Sequence, residues 1–180
     1  MYLYNTGIFG MVLEIGATVI VLFVTFGILL LDTGVTKLMI DGSLRLAGTW
    51  RGGPAKVAVL ASAVFATISG SPSANAGTIG SVTIPLMKSV GYKSHFAAAV
   101  EAVASTGGVI TPPVMGTVAF IMANLTGVGY QTVVIAAILP ALLYYIALFF
   151  QVDFEAAKLK LSSLPREQLP SFRKTAKEYW

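Results

Sequence analysis

The chain has 180 residues, 56% of them apolar and only 11% charged, with a formal net charge of +4. A soluble domain carries about 25% charged residues, so the composition excludes an ordinary soluble enzyme or binding module and points to a membrane protein. Cysteine is absent, which excludes a disulfide framework and a thiolate metal site.

All twelve Lys and Arg fall in three places: Lys37 to Lys56, Lys88 with Lys93, and Lys158 to Lys177. That placement reads as topogenic charge on the cytoplasmic side of a membrane. It does not read as a nucleic-acid surface, because no soluble face of useful size exists to carry one.

Residues 1–33 are predicted to hold a first transmembrane span. Its apolar run, 8–31, is about 24 residues, enough at ~1.5 Å each to cross a hydrocarbon core of roughly 30 Å. No basic segment precedes it, so it reads as a retained span and not a cleaved leader. Residues 34–53 interleave Val35, Leu38, Met39, Leu44 and Leu46 with charges, the pattern of an amphipathic helix at the cytoplasmic interface.

Residues 54–90 pose the central question. Two apolar arms, each of roughly 12 residues and too short to span, flank "ISGSPSANAGTIG" at 68–80. Basic residues lie at both ends, Arg51 and Lys56 before and Lys88 and Lys93 after. The segment should therefore enter and leave by one face, as a re-entrant hairpin with "SGSPSANAG" at its tip. Residues 94–126 then cross outward, interrupted by "ASTGGVITPPV". Gly107 and Gly108 are poor helix formers, and Pro112 and Pro113 remove two backbone donors.

"NLTGVGY" at 124–130 suits an external turn, and residues 129–152 return as a final span. Gln131, Tyr144, Tyr145 and the Asp153/Glu155/Lys158 cluster mark its ends. Residues 153–180 form a polar cytoplasmic tail that packs through Leu164, Leu169, Phe172 and Trp180. The fold class expected is an all-α membrane protein: transmembrane helices, a re-entrant helical hairpin and an unwound helix.

Freed backbone groups in lipid cost several kcal/mol each, so two breaks at comparable depth mark protein-lined or polar surroundings. Their residues agree in chemistry: Ser69, Ser71, Ser73, Asn75 and Thr78 at the first, Ser105, Thr106 and Thr111 at the second. Hydroxyls, amide oxygens and free carbonyls are hard neutral ligands suited to Na⁺. Half-helix N-termini, expected near Asn75 and Thr111, would favour an anion. The combination is that of a secondary transporter coupling a cation to an anionic substrate. Single hydroxyls also serve plain interhelical packing, as the small residues of "AVLASAVFATISG" do.

Glu101 is an intramembrane carboxylate, a candidate proton or cation site by default or a tie between helices. Glu14 has an interfacial position, and His95, the single histidine, lies at the membrane edge.

"ISGSPSANAGTIGSVTIPLMKSVGY" followed by "FAAAVEAVASTGGVITPPVMGTVAFIMA" resembles the large membrane subunit of the tripartite ATP-independent periplasmic (TRAP) transporters. The closer likeness is to the fused (4TM/12TM) permease branch associated with TAXI-type solute-binding proteins, which "GIFG", "RGGPAKVAV", "ILPALLYY" and "LPREQLPS" also resemble.

The resemblance implies an elevator transporter whose moving domain has two inverted repeats, each with a hairpin and an unwound helix. It implies Na⁺ around the tips and unwound helices, an organic acid between them, and delivery by a periplasmic solute-binding protein. It assigns the hairpin role to Ser69, Gly70, Ser71, Ser73 and Asn75, with Thr78 beside them. The unwound-helix role falls to Ser105, Thr106, Gly107, Gly108, Pro112 and Pro113, with Na⁺ expected at Ser71, Asn75 and Thr106 and coupling at Glu101.

No cofactor beyond the coupling ion is implied. The expected setting is a bacterial or archaeal inner membrane. The sequence holds one hairpin and one unwound helix, about one repeat of the family's two. It is therefore expected not to transport alone, and to need the second repeat and a small-subunit portion.

Two other classes compete with this reading. An intramembrane serine hydrolase needs a base within reach of its serine, and His95 lies near the cytoplasmic face, away from the hairpin serines. A channel-like or non-transporting scaffold also fits a re-entrant hairpin, and saturable flux driven by a sodium gradient distinguishes the carrier from it.

Overall fold

Polypeptide rich in Ala, Leu, Val and Ile, and punctuated by Gly and Pro, folds as helices with sharp stops. The computed structural model describes residues 10–161 and 163–164. Among the described residues every regular element is helical, and no strand occurs. Residues 7–9 of "GIFG", and the tail contacts expected of Leu169, Phe172 and Trp180, lie outside the described residues.

The first predicted span is helical from residue 11 to 32, as α1 (Met11–Ile15), a π-helical segment (Gly16–Ile20) and α2 (Val21–Asp32). Helix α3 (Val35–Ala47) carries the amphipathic stripe and buries Ile40, Ser43 and Ala47. Ile40 packs in one cluster with Ala61, Phe65 and Ile79, so the hairpin covers the helix's apolar face.

Helix α4 (Gly53–Ser69) is the central element. Ala55, Ala58, Ala61 and Ala66 are wholly buried, small side chains that let neighbouring helices approach closely. It has 17 residues, longer than the arm of roughly 12 expected, because Gly52 in a left-handed conformation and Pro54 in the first turn start it early.

Gly70, also left-handed, stops α4, and Ser71 restarts the chain. The return arm is α5 (Pro72–Thr78) and α6 (Gly80–Ser89), separated by Ile79. Asn75 Nδ2 donates to the Ser62 carbonyl, which holds the return arm against α4. Helices α4, α5 and α6 thus pack as a helix–turn–helix unit.

Helix α7 (Ser94–Thr106) ends in a 3₁₀ turn, Gly107–Val109, and helix resumes as α8 (Thr117–Thr126). Helix α9 (Tyr130–Lys158) is the one among the described residues long and apolar enough to cross a membrane. Ile135, Leu139, Leu142, Leu143 and Phe154 are exposed on it, an apolar surface suited to lipid or further protein.

Helix α9 runs past the expected boundary at 152 because its last turns are held. Arg51 and Lys56 both pair with Asp153. The Lys56 ammonium also lies 5.6 Å from the Trp50 ring centroid and 5.2 Å from that of Phe149. Leu164 is buried, and its amide donates to the Gly48 carbonyl.

Asp153→Asn should leave the buried Lys56 ammonium short of its counter-charge and lower stability by about 1–3 kcal/mol. Lys158→Gln, which breaks only the 3.7 Å exposed pair with Glu155, should be near neutral. Thermal midpoints of the purified variants in one detergent test the contrast.

Candidate functional site

The hairpin tip is built by three successive local rules. Gly70, at φ +55°, takes the left-handed position that ends α4, and its amide donates to the Ala66 carbonyl. Ser71 is the extended cap of the next helix, its Oγ accepting from the Ala74 amide, and Pro72 occupies the first turn. The return helix therefore starts at Pro72 and not near Asn75, which lies wholly buried inside it.

The second break has a different cause. Pro112, Pro113 and a positive φ at Met115 keep residues 110–116 out of regular helix. The second half-helix consequently begins at Thr117, six residues beyond the expected Thr111. The chain closes its own turn here, with the Gly116 amide donating to the Val109 carbonyl at 2.9 Å.

The two breaks meet. A Cβ placed on Gly70 would stand 1.9 Å from the Met115 carbonyl oxygen, so only glycine lets the tip seat there. A Cβ on Gly108 would fall 3.3 Å from that of Ala66, placing the 3₁₀ turn against the end of α4.

Gly107 is closed in by the rings of Tyr144 and Tyr145. These two residues supply hydroxyl donors where α7 ends: Tyr144 to the Val103 carbonyl at 2.7 Å and Tyr145 to that of Ala104 at 3.2 Å. Thr111 Oγ donates to the Gly107 carbonyl at 2.6 Å. The Tyr130 hydroxyl lies 2.8 Å from the carbonyls of both Pro113 and Val114 and donates to one at a time.

After this accounting, two buried side-chain atoms lack a protein partner among the described residues: Ser69 Oγ and Asn75 Oδ1. Both belong to the tip. Buried polar atoms are satisfied with few exceptions, and these two are exceptions among the described residues. Ser71 Oγ lies 3.3 Å from Ser73 Oγ, the first being the cap of α5 and the second in its first turn. Thr78 is half-buried, Pro112 half-buried and Pro113 exposed.

The remaining sequence candidates separate from this centre. Thr106 is exposed, and its hydroxyl donates to the Ala102 carbonyl of its own helix. Ser105 is buried, with Oγ 3.2 Å from Glu101 Oε1. Glu101 is 1% exposed and also meets Ser62 at 2.8 Å and Thr83 at 2.6 Å. His95 and Glu14 are exposed.

Sequence reading missed Ser62 and Thr83. Their signal is faint, one of two hydroxyls within each apolar arm (Ser62 beside Thr67, Thr83 beside Ser81), and nothing local shows that both face one carboxyl.

Residues 7–180 match the family described as "Tripartite ATP-independent periplasmic transporter, DctM component". The chain is 33% identical over 156 residues to the C4-dicarboxylate TRAP transporter large permease protein DctM of Pseudomonas aeruginosa, covering 87% of this chain and 36% of that protein. It is 29% identical over 159 residues to the 2,3-diketo-L-gulonate TRAP transporter large permease protein YiaN of Escherichia coli, covering 88% and 35%. To the sialic acid TRAP transporter large permease protein SiaM of Vibrio cholerae it is 30% identical over 155 residues, covering 84% and 36%. The chain thus spans about a third of the length of the curated relatives it matches. These relatives are transport permeases and not enzymes.

Gly70→Ala should disrupt the meeting of the two breaks, because the new Cβ would overlap the Met115 carbonyl. Gly127→Ala, at a similar φ of +69° but with nothing within 4 Å of the new Cβ, should cost only the left-handed penalty of about 1–2 kcal/mol. A much larger fall in thermal midpoint for the Gly70 variant is the expected result.

Proposed function

This chain belongs to the DctM component family of tripartite ATP-independent periplasmic transporters, and we propose that it supplies one repeat of a sodium-coupled permease for an organic acid. The observation that carries the reading is the hairpin tip seated on the second helix break, with Ser69 Oγ and Asn75 Oδ1 buried there without protein partners. Neutral side-chain oxygens left without a protein partner suit a partly dehydrated Na⁺, and irregular backbone at membrane depth belongs where it lines a cavity.

In this proposal residues 1–33 and 129–152 span the membrane, 34–53 lie at the cytoplasmic surface and 54–90 form a re-entrant hairpin. Residues 94–126 cross as the broken helix, and 153–180 are cytoplasmic. Ser69, Ser71 and Asn75 lead the cation set. Gly70, Gly107 and Gly108 allow the close approach that forms the site, while Pro112 and Pro113 keep the backbone open. Ser73, Thr78 and Thr106 lie on its periphery.

Glu101 and Ser105 stand behind the site, sealed with Ser62 and Thr83. The reading accordingly places coupling at the tip and not at this carboxyl.

The substrate class follows from the relatives' names. C4-dicarboxylate, 2,3-diketo-L-gulonate and sialic acid are all organic acids, and a carboxylate complements a bound cation. A periplasmic solute-binding protein would deliver the substrate, and a second repeat and small-subunit portion would complete the path. The likeness of "RGGPAKVAV" and "ILPALLYY" to the TAXI-associated branch favours a fused permease, with the hairpin and α7 moving together as an elevator. A channel-like or scaffold role is the alternative.

Asn75→Ala in the complete permease should shift the sodium dependence of uptake to higher concentration, while Thr106→Ala, at the edge, should shift it less. Sodium titrations of substrate uptake in proteoliposomes test this, and identical curves for wild type and Asn75→Ala would refute the site. Ohmic single-channel currents would instead favour the channel.

A further inference from the structure

We propose that Glu101 is a buried proton site: its carboxyl is held as the neutral acid, with the proton on Oε2, and in that form it ties both hairpin arms to the broken helix.

The surroundings of the carboxyl carry the first argument. Glu101 is 1% exposed, and its oxygens meet hydroxyls from three helices. Ser62 of α4 and Ser105 of α7 approach Oε1 at 2.8 and 3.2 Å, and Thr83 of α6 approaches Oε2 at 2.6 Å. No ion pair reaches it among the described residues. The charged groups on the packed elements are placed elsewhere: Lys56 on α4 pairs with Asp153, and Lys88 on α6 and His95 on α7 are exposed. Helix α5 carries no charge. Burying an ionised carboxylate without a counter-charge costs far more than burying the neutral acid, so a group so enclosed keeps its proton.

Proton counting gives the second argument. Thr83 Oγ lies 2.6 Å from Glu101 Oε2 and 3.0 Å from the Ile79 carbonyl oxygen, yet a hydroxyl has one proton to donate. With the proton on Oε2, Glu101 donates to Thr83 and Thr83 donates to Ile79, so both contacts are made at once. Ser62 and Ser105 donate to Oε1. With an ionised carboxylate, Thr83 must abandon one of its two acceptors.

Gly80 completes the cradle. A Cβ there would stand 2.9 Å from Glu101 Cγ, so the glycine is what lets α7 bring the carboxyl between the arms. The bonds tie the helices whatever occupies the hairpin tip, so this inference does not depend on the transport reading.

The test compares the full chain with its Glu101→Gln and Glu101→Leu variants in lipid nanodiscs at neutral pH. The infrared difference spectrum of wild type minus Glu101→Gln should show the C=O stretch of one protonated carboxyl, shifting down in D₂O. A glutamine keeps the pattern, its carbonyl accepting from Ser62 and Ser105 and its NH₂ donating to Thr83, so the thermal midpoint should match wild type. Glu101→Leu removes the acceptor of Ser62 and Ser105 and the donor to Thr83, and should melt lower. Absence of the protonated-acid band, or a Glu101→Gln midpoint as low as that of Glu101→Leu, would overturn the proposal.

Discussion

When lipid replaces water, every amide and carbonyl that a broken helix frees must find a partner inside the protein. This constraint organises the structure around its two breaks. At the hairpin tip the chain meets it locally, through the left-handed Gly70 and the Ser71 cap. At the second break local means are insufficient, because two prolines remove donors and the end of α7 needs help from outside. Helix α9 provides it, with tyrosines spaced so that Tyr144 and Tyr145 reach the end of α7 while Tyr130 reaches the proline segment. The helix among the described residues that is long and apolar enough to cross a membrane is therefore also the one that completes the backbone of its neighbour.

Two polar assemblies hold the hairpin in place, and they differ in kind. Deep in the fold, Ser62, Thr83, Ser105 and Glu101 join α4, α6 and α7 through side-chain contacts whose members are all partnered. At the basic end, Arg51 and Lys56 grip Asp153 between aromatic rings. Between them the packing is small and tight, with Ala55, Ala58, Val59, Ala97, Val100 and Ala104 in one cluster. Small residues let the backbones approach closely enough for short hydroxyl side chains to bridge helices. The two atoms this scheme leaves unmet, Ser69 Oγ and Asn75 Oδ1, are both at the tip, and that asymmetry gives the functional reading its location.

The family relationship sets this geometry among the permeases of the DctM family. Helix α9 carries a large apolar exposed surface. A groove of about 670 Å³ between α4 and α9, lined by residues such as Val59, Ala63, Tyr145 and Phe149, is apolar in the same way. Such surfaces belong against lipid or against more protein.

Much was legible in the sequence because membrane proteins write their constraints locally. The shortage of charge, the length of the apolar runs and the three basic clusters determined a helical membrane chain. Gly, Ser and Pro in "SGSP" determined that the first arm ends there, since the preferences of a left-handed glycine, a serine cap and a first-turn proline are properties of adjacent residues. Tertiary structure decided the rest. Asn75 is a buried clasp inside a helix and not the start of one, because Ser71 had already capped it. Thr106 faces outward while Ser105, one residue earlier, faces the carboxyl, a difference set by where α4 and α6 lie. Ser62 and Glu101 are 39 residues apart, and Gly70 and the Met115 carbonyl are also distant in the chain. No local preference couples such pairs; only the packing of α4 against α7 brings them together.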